Sequence, residues 1–167
     1  MVKRAVPSRD EIMSVLDEVK DPEVPILSVV ELGIVRDATA DETGVEVTIT
    51  PTYSGCPAMR EIEDEIRAAL TSRGYGEVRV RTTYSPPWTT DWIAEPARRK
   101  LAEYGIAPPG RAGDVELIPL RTRRAAIACP YCASTNTEQR SEFGSTACKS
   151  IWYCRECRQP FEEFKAI

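Results

Sequence analysis

The sequence predicts an α+β fold: a compact domain of helix, β-hairpin, helix, strand and helix, followed by a small domain held by four cysteines. Three observations predict it. Apolar residues recur at helical spacing in two segments, as Ile12, Val15, Leu16 and Val19, and again as Met59, Ile62, Ile66, Ala69 and Leu70. Between them Val45, Val47 and Ile49 alternate with Glu46, Thr48 and Thr50, the pattern of a half-buried strand. Near the end, two Cys-x-x-Cys pairs, Cys129/Cys132 and Cys154/Cys157, flank a mostly polar loop.

Taken in order, Ser8 and Glu11 form a capping box that opens the first helix, and Asp21-Pro22 stops it. The loop Asp21-Pro22-Glu23-Val24-Pro25 is rigid and acidic, and a simple turn is its plainest use. Residues 29–38 suit a strand bent at Gly33. Asp41-Glu42-Thr43-Gly44 has turn chemistry and joins it to the alternating strand, which makes a hairpin. The second helix follows Gly55-Cys56-Pro57 and ends at Arg73-Gly74, a last-turn cation and a C′ glycine. A third strand covers residues 77–83, with Val78 and Val80 inward. A third helix begins near Thr90 or Asp91 and stops at Gly105, with Pro96 marking either a kink or a later start. This gives a first domain over 1–107, a linker over 108–126 with a short strand at 115–120 and a basic tether at Arg121, Arg123 and Arg124, and a second domain over 127–167.

Each cysteine pair can place two thiolates on one ion through a tight turn, so Cys129, Cys132, Cys154 and Cys157 offer four soft ligands in a tetrahedron. That is the ligand set of a zinc ribbon, with a gap between pairs slightly longer than usual. Two disulfides or four unrelated thiols are the alternatives, and iron is the competing metal, since ligand type alone does not separate it from zinc. Phe161 and Phe164 are expected to pack on Trp152, because so small a domain needs an aromatic core beside its metal.

Composition narrows the chemistry. The chain of 167 residues contains no histidine, which excludes a Ser-His-Asp triad, a mixed Cys-His zinc site and a Glu-x-x-His di-iron site. No apolar run is long enough to span a bilayer, and residues 1–7 lack the apolar segment of a secretory signal. Metal-like cysteine spacing points to a reducing compartment, hence the cytoplasm. The net charge is −4, and residues 129–167 hold five basic and five acidic side chains, not the basic footprint of a nucleic-acid binder.

Outside the four, Cys56 lies at or beside the N-cap of the second helix, where the helix dipole favours a thiolate and depresses its pKa. A buried cysteine serving as a small hydrophobe is the competing reading. Cys148 shares strand parity with Trp152 and Cys154; it lies near the metal without binding it, or simply fills the core. Trp88 and Trp92 around Pro86-Pro87 form a recognition surface or local core. The three arginines of the tether contact phosphate or an acidic partner, or face solvent.

Asp21-Pro22-Glu23, Glu31-Leu32-Gly33-Ile34-Val35 and Gly55-Cys56-Pro57 together resemble the MIP18 (DUF59) domain, whose members are associated with iron–sulfur cluster assembly. Pro86-Pro87-Trp88-Thr89-Thr90-Asp91-Trp92-Ile93, Gly105-Ile106-Ala107-Pro108-Pro109 and Phe143-Gly144-Ser145-Thr146-Ala147-Cys148-Lys149, with the last cysteine pair, Pro160-Phe161 and Phe164-Lys165, resemble the PaaD family, the D components of phenylacetyl-CoA epoxidase systems. The resemblance implies an accessory or maturation factor in aerobic phenylacetate breakdown, not itself the catalytic component. Its partners would be the reductase, with flavin and an iron–sulfur centre, and the di-iron oxygenase component. It implies structural zinc on Cys129, Cys132, Cys154 and Cys157, and it maps the family's DUF59 cysteine onto Cys56. On that basis Cys56 is expected to hold or hand over iron or sulfide, as transient iron or an iron–sulfur cluster, with Asp21 and Glu23 lining the same edge. The alternatives are a zinc-ribbon module acting on nucleic acid, a purely structural component of the oxygenase, and a thiol oxidoreductase using Cys129 and Cys132.

Overall fold

Ser8 caps helix α1, Arg9–Leu16, as its spacing from Glu11 requires. The Glu11 carboxylate accepts the Ser8 N–H at 2.7 Å while Ser8 Oγ accepts the Glu11 N–H at 3.3 Å. The computed structural model describes residues 6–110 and 126–167. The expected strand at 115–120, the tether arginines Arg121, Arg123 and Arg124, and the linker stretch 111–113 lie outside the described residues. Ile12, Val15 and Leu16 are the buried face of α1.

Strand β1 runs over Val35–Ala40, not from residue 29. Residues 28–33 turn instead, for a reason the apolar run conceals. Ser28 and Glu31 repeat the capping-box exchange: the Ser28 N–H donates to the Glu31 carboxylate and the Glu31 N–H to Ser28 Oγ, both at 3.0 Å. Gly33, at φ 69°, closes the turn in the left-handed region. Local side-chain bonds thus compete with strand pairing and win.

β1 pairs antiparallel with β2, Gly44–Ile49, from Val35 opposite Ile49 to Ala40 opposite Val45. Helix α2, Ala58–Ser72, then crosses over to β3, Glu77–Thr82, which lies parallel to β2. Gly44 is obligatory there, because a Cβ would stand 1.9 Å from the Glu77 carbonyl oxygen of the neighbouring strand. Ile62, Ile66 and Leu70 of α2 are buried, as are Val45, Val47 and Ile49 of β2. Helix α2 packs on β3 and α1, and α1 on β1. Trp88 is core: it is buried and its indole N–H donates to the Leu32 carbonyl at 2.9 Å, which ties the turn after Ser28 in place.

The chain divides into two compact units at Trp88/Thr89, earlier than the boundary at 107 read from sequence. Helix α3, Glu95–Tyr104, belongs to the second unit. It starts late, with Pro96 in its first turn, after a separate 3₁₀ turn at Thr90–Trp92. Gly105, at φ 91°, ends α3, and Ile106–Ala107 forms the short strand β4. β4 hydrogen-bonds parallel to β7, Pro160–Phe164. The sheet continues with β6, Lys149–Cys154, and β5, Thr137–Ser141, in the order β4-β7-β6-β5. The Arg98 guanidinium donates to the carbonyls of Thr90, Ile93 and Pro109 and so binds α3 to the chain on both its sides. The backbone of Ile167 returns to Thr89 and Thr90 through four further hydrogen bonds. These links carry α3 with the cysteine domain. Among the described residues, no helix is long and apolar enough to cross a membrane.

Candidate functional site

The two Cys-x-x-Cys turns meet in the second unit. The sulfurs of Cys129, Cys132, Cys154 and Cys157 all lie within 4.8 Å of one another. Cys129 stands 3.7 Å from Cys157, and Cys132 3.6 Å from Cys154. A disulfide requires about 2.05 Å, so these are not bonded pairs. Four thiolates at about 2.3 Å from a tetrahedral ion stand about 3.8 Å apart, close to the two separations just given. The donor set therefore fits zinc.

Backbone geometry aims amides at these sulfurs. Ala133 and Arg158, each the residue after the second cysteine of its pair, have φ of 59° and 61° and are the only non-glycine residues with positive φ among those described. The left-handed residue swings the next N–H back, so that Ser134 donates to Cys132 and Gln159 to Cys157. Strain at two matched positions is stored where it directs donors at developing anions. The N–H groups of Cys157 and Glu156 hold the Cys154 thiol down to about 7, while burial pushes Cys157 up to about 12.

Behind the sulfurs lies a core of Ala107, Cys129, Trp152, Cys154 and Phe161, with Ile127 and Cys157 against it. Phe161 faces Trp152 across the β6–β7 ladder as expected, whereas Phe164 faces Lys149. Sequence reasoning missed the polar layer here. The Trp152 indole N–H donates to Glu163 Oε2 at 2.9 Å, and the Ser150 hydroxyl donates to the same oxygen at 2.8 Å; all three residues are buried. Lys149, also buried, pairs with Glu162 at 3.2 Å. Strand alternation could have flagged Ser150 and Trp152 on one face, but not their acceptor. Cys148 is buried beside the Thr146 hydroxyl at 3.0 Å and stands apart from the four-sulfur cluster.

Cys56 occupies the turn from β2 into α2, at the carboxyl end of the parallel pair β2/β3, where crossover folds present their functional loops. Gly55 takes φ 94° to make the turn, and Pro57 serves as N-cap, one position later than Cys56. The thiol is half-buried, and its pKa is raised, not depressed. This corrects the expectation from the helix dipole. Burial is the largest cause and the Glu23 carboxylate adds to it; together they outweigh the Ala58 N–H and the side chains of Thr52 and Tyr53, which favour the thiolate. Asp21 is spent differently from Glu23. It is buried, and its Oδ1 accepts the N–H groups of Glu23 and Val24 at 2.8 Å each, so it builds the loop from which the Glu23 charge acts on the sulfur. Alkylation of Cys56 by iodoacetamide is therefore expected to turn on above the ordinary thiol range, and Glu23→Gln to shift that midpoint toward acid. A wild-type midpoint below the range of a free thiol would restore the dipole reading.

A family profile described as iron-sulfur cluster assembly protein matches residues 9–81. A second, the PaaD zinc beta ribbon domain, matches residues 117–165. The solved DUF59 domain of Bacillus anthracis superposes with a TM-score of 0.53 at 30% identity, covering 56% of this chain and 90% of that one. Fold and site thus define an iron–sulfur assembly domain joined to a zinc β-ribbon. Over 95 residues, 56% of this chain and 92% of the relative, the chain is 36% identical to the Fe-S protein maturation auxiliary factor YitW of Bacillus subtilis. Over 164 residues, 98% of this chain and 96% of the relative, it is 44% identical to an Escherichia coli K12 protein whose name makes it, provisionally, the D component of 1,2-phenylacetyl-CoA epoxidase. The chain belongs to that family of D components, PaaD.

Proposed function

We propose that this protein is the accessory, non-catalytic D component of a phenylacetyl-CoA epoxidase, acting in the cytoplasm to help assemble the iron–sulfur centre of the reductase or the di-iron centre of the oxygenase component. One observation carries the reading: a half-buried cysteine within the electrostatic reach of Glu23, in the turn after β2 of a domain whose relatives include iron–sulfur maturation factors. Held as a neutral thiol, Cys56 resists oxidation between uses. An arriving iron cation displaces the proton, and thiolate and carboxylate then form a mixed ligand pair suited to iron. Asp21 positions Glu23 and does not itself bind. Cys129, Cys132, Cys154 and Cys157 hold zinc, which cross-links the two turns and supplies no reaction. Arg140 and Arg155 both pair with Glu138, which weakens the field a phosphate backbone would meet and counts against the nucleic-acid alternative.

The test is to express the epoxidase components with Cys56→Ala and measure iron in the purified reductase and di-iron component. Occupancy is expected to fall several-fold in at least one of them, with Cys148→Ala as a control that leaves both filled. Full occupancy of both in the Cys56 variant refutes the assignment.

A further inference from the structure

The four ribbon cysteines are unequally sheltered. Cys129 and Cys154 are buried and Cys157 is partly covered, whereas Cys132 is exposed. Its sulfur stands 3.6 Å from that of buried Cys154, on the opposite turn. We infer that Cys132 is an oxidative modification site, through which a peroxide converts the four-thiolate ribbon into a form closed by a Cys132–Cys154 disulfide. The inference rests on the reading of the four cysteines as a zinc site.

The chemistry follows from access. A peroxide dissolved in water reaches the exposed cysteine before the buried ones. The Cys132 thiolate attacks one oxygen of hydrogen peroxide, the O–O bond breaks, and hydroxide leaves; Cys132 is now a sulfenic acid. The Cys154 thiolate attacks that sulfur, the S–O bond breaks, and a second hydroxide leaves. Two thiolates have lost two electrons in forming one S–S bond, and the peroxide has been reduced to two hydroxides, which take protons from solvent. Cys129 and Cys157 are the donors left, too few for a closed structural site, so zinc departs. The pairing has a structural consequence. Cys132–Cys154 joins the two turns to each other, so the ribbon stays closed after the ion is lost. A bond within either Cys-x-x-Cys pair would leave the turns free to part.

The experiment uses the full chain, purified under reducing conditions, with its zinc content measured first. Absence of zinc at that stage refutes the four-cysteine reading itself, and the present inference falls with it. Hydrogen peroxide is then added to the reductant-free protein. Zinc release is followed with a colorimetric chelator, and free thiols are tagged and mapped by mass spectrometry. Release is expected in step with a Cys132–Cys154 disulfide, with the Cys132 tag the first to disappear. Cys132→Ser is expected to release its zinc at least about tenfold more slowly. If that variant does not retain zinc, the order of thiol loss in the unaltered protein decides the matter. A first product of Cys129–Cys132 or Cys154–Cys157, or oxidation confined to Cys56 with zinc retained, overturns the inference.

Discussion

Removing the metal with a chelator is expected to unfold the second unit, residues 89–167, while the first keeps its own cooperative transition. The reason lies in the make-up of the second core. Of its seven members, Ala107, Cys129, Trp152, Cys154, Phe161, Ile127 and Cys157, three are proposed ligands. Taking out the ion therefore removes the cross-link and leaves much of the core as sulfur that has no reason to converge. Structural zinc contributes on the order of 10 kcal/mol or more in small domains of this kind, which exceeds anything so small an apolar cluster supplies. The first unit has a separate core, built on Ile12, Leu16, Ile62, Ile66 and Leu70. Circular dichroism in the near ultraviolet reads the difference, since Trp92 and Trp152 lie in the second unit and Trp88 in the first. Acid acts in the same direction as the chelator, because each sulfur that leaves the ion takes up a proton, so zinc affinity falls as pH falls. A second unit that keeps its tryptophan signal in the stripped protein would show that the core alone holds it.

Trp152→Ala is expected to cost about 3–5 kcal/mol, read as a lowered urea midpoint of the zinc-loaded protein. Two losses combine. The indole packs with Cys154 and Phe161, and its removal leaves a cavity in a core too thin to collapse around it. Its N–H also donates to the buried Glu163 carboxylate, and a buried carboxylate deprived of a donor is costly. Trp152→Phe separates the two effects. It keeps most of the volume and loses the donor, and about 1–3 kcal/mol is expected. An alanine variant within about 1 kcal/mol of the parent would mean that neither packing nor the hydrogen bond at this position matters.

The capping box at Ser8, the alternation in β2, the apolar stripe of α2 and the paired cysteines are local patterns, and each forms the element it announces. The places where sequence and structure part share a cause. Residues 29–33 read as strand because they are β-branched and apolar, yet the Ser28–Glu31 exchange and Gly33 bend them into turns. The place of Cys56 before a helix predicts an acidic thiol, yet burial and Glu23, more than thirty residues earlier in the chain, set its pKa the other way. Order along the chain groups helix α3 with the first domain, although β4, which follows it directly, hydrogen-bonds to β7 of the second.

Spacing and composition alone settle most of the kinds of element, the two cysteine pairs offered as ligands and the exclusion of histidine chemistry, because these act over a few residues and need no partner. Folding settles the rest: which cysteine is open to solvent, which carboxylate acts on Cys56 and which acceptor receives the Trp152 indole. Exposure, electrostatic environment and hydrogen-bond acceptors come from segments distant in the chain, and packing alone brings those together.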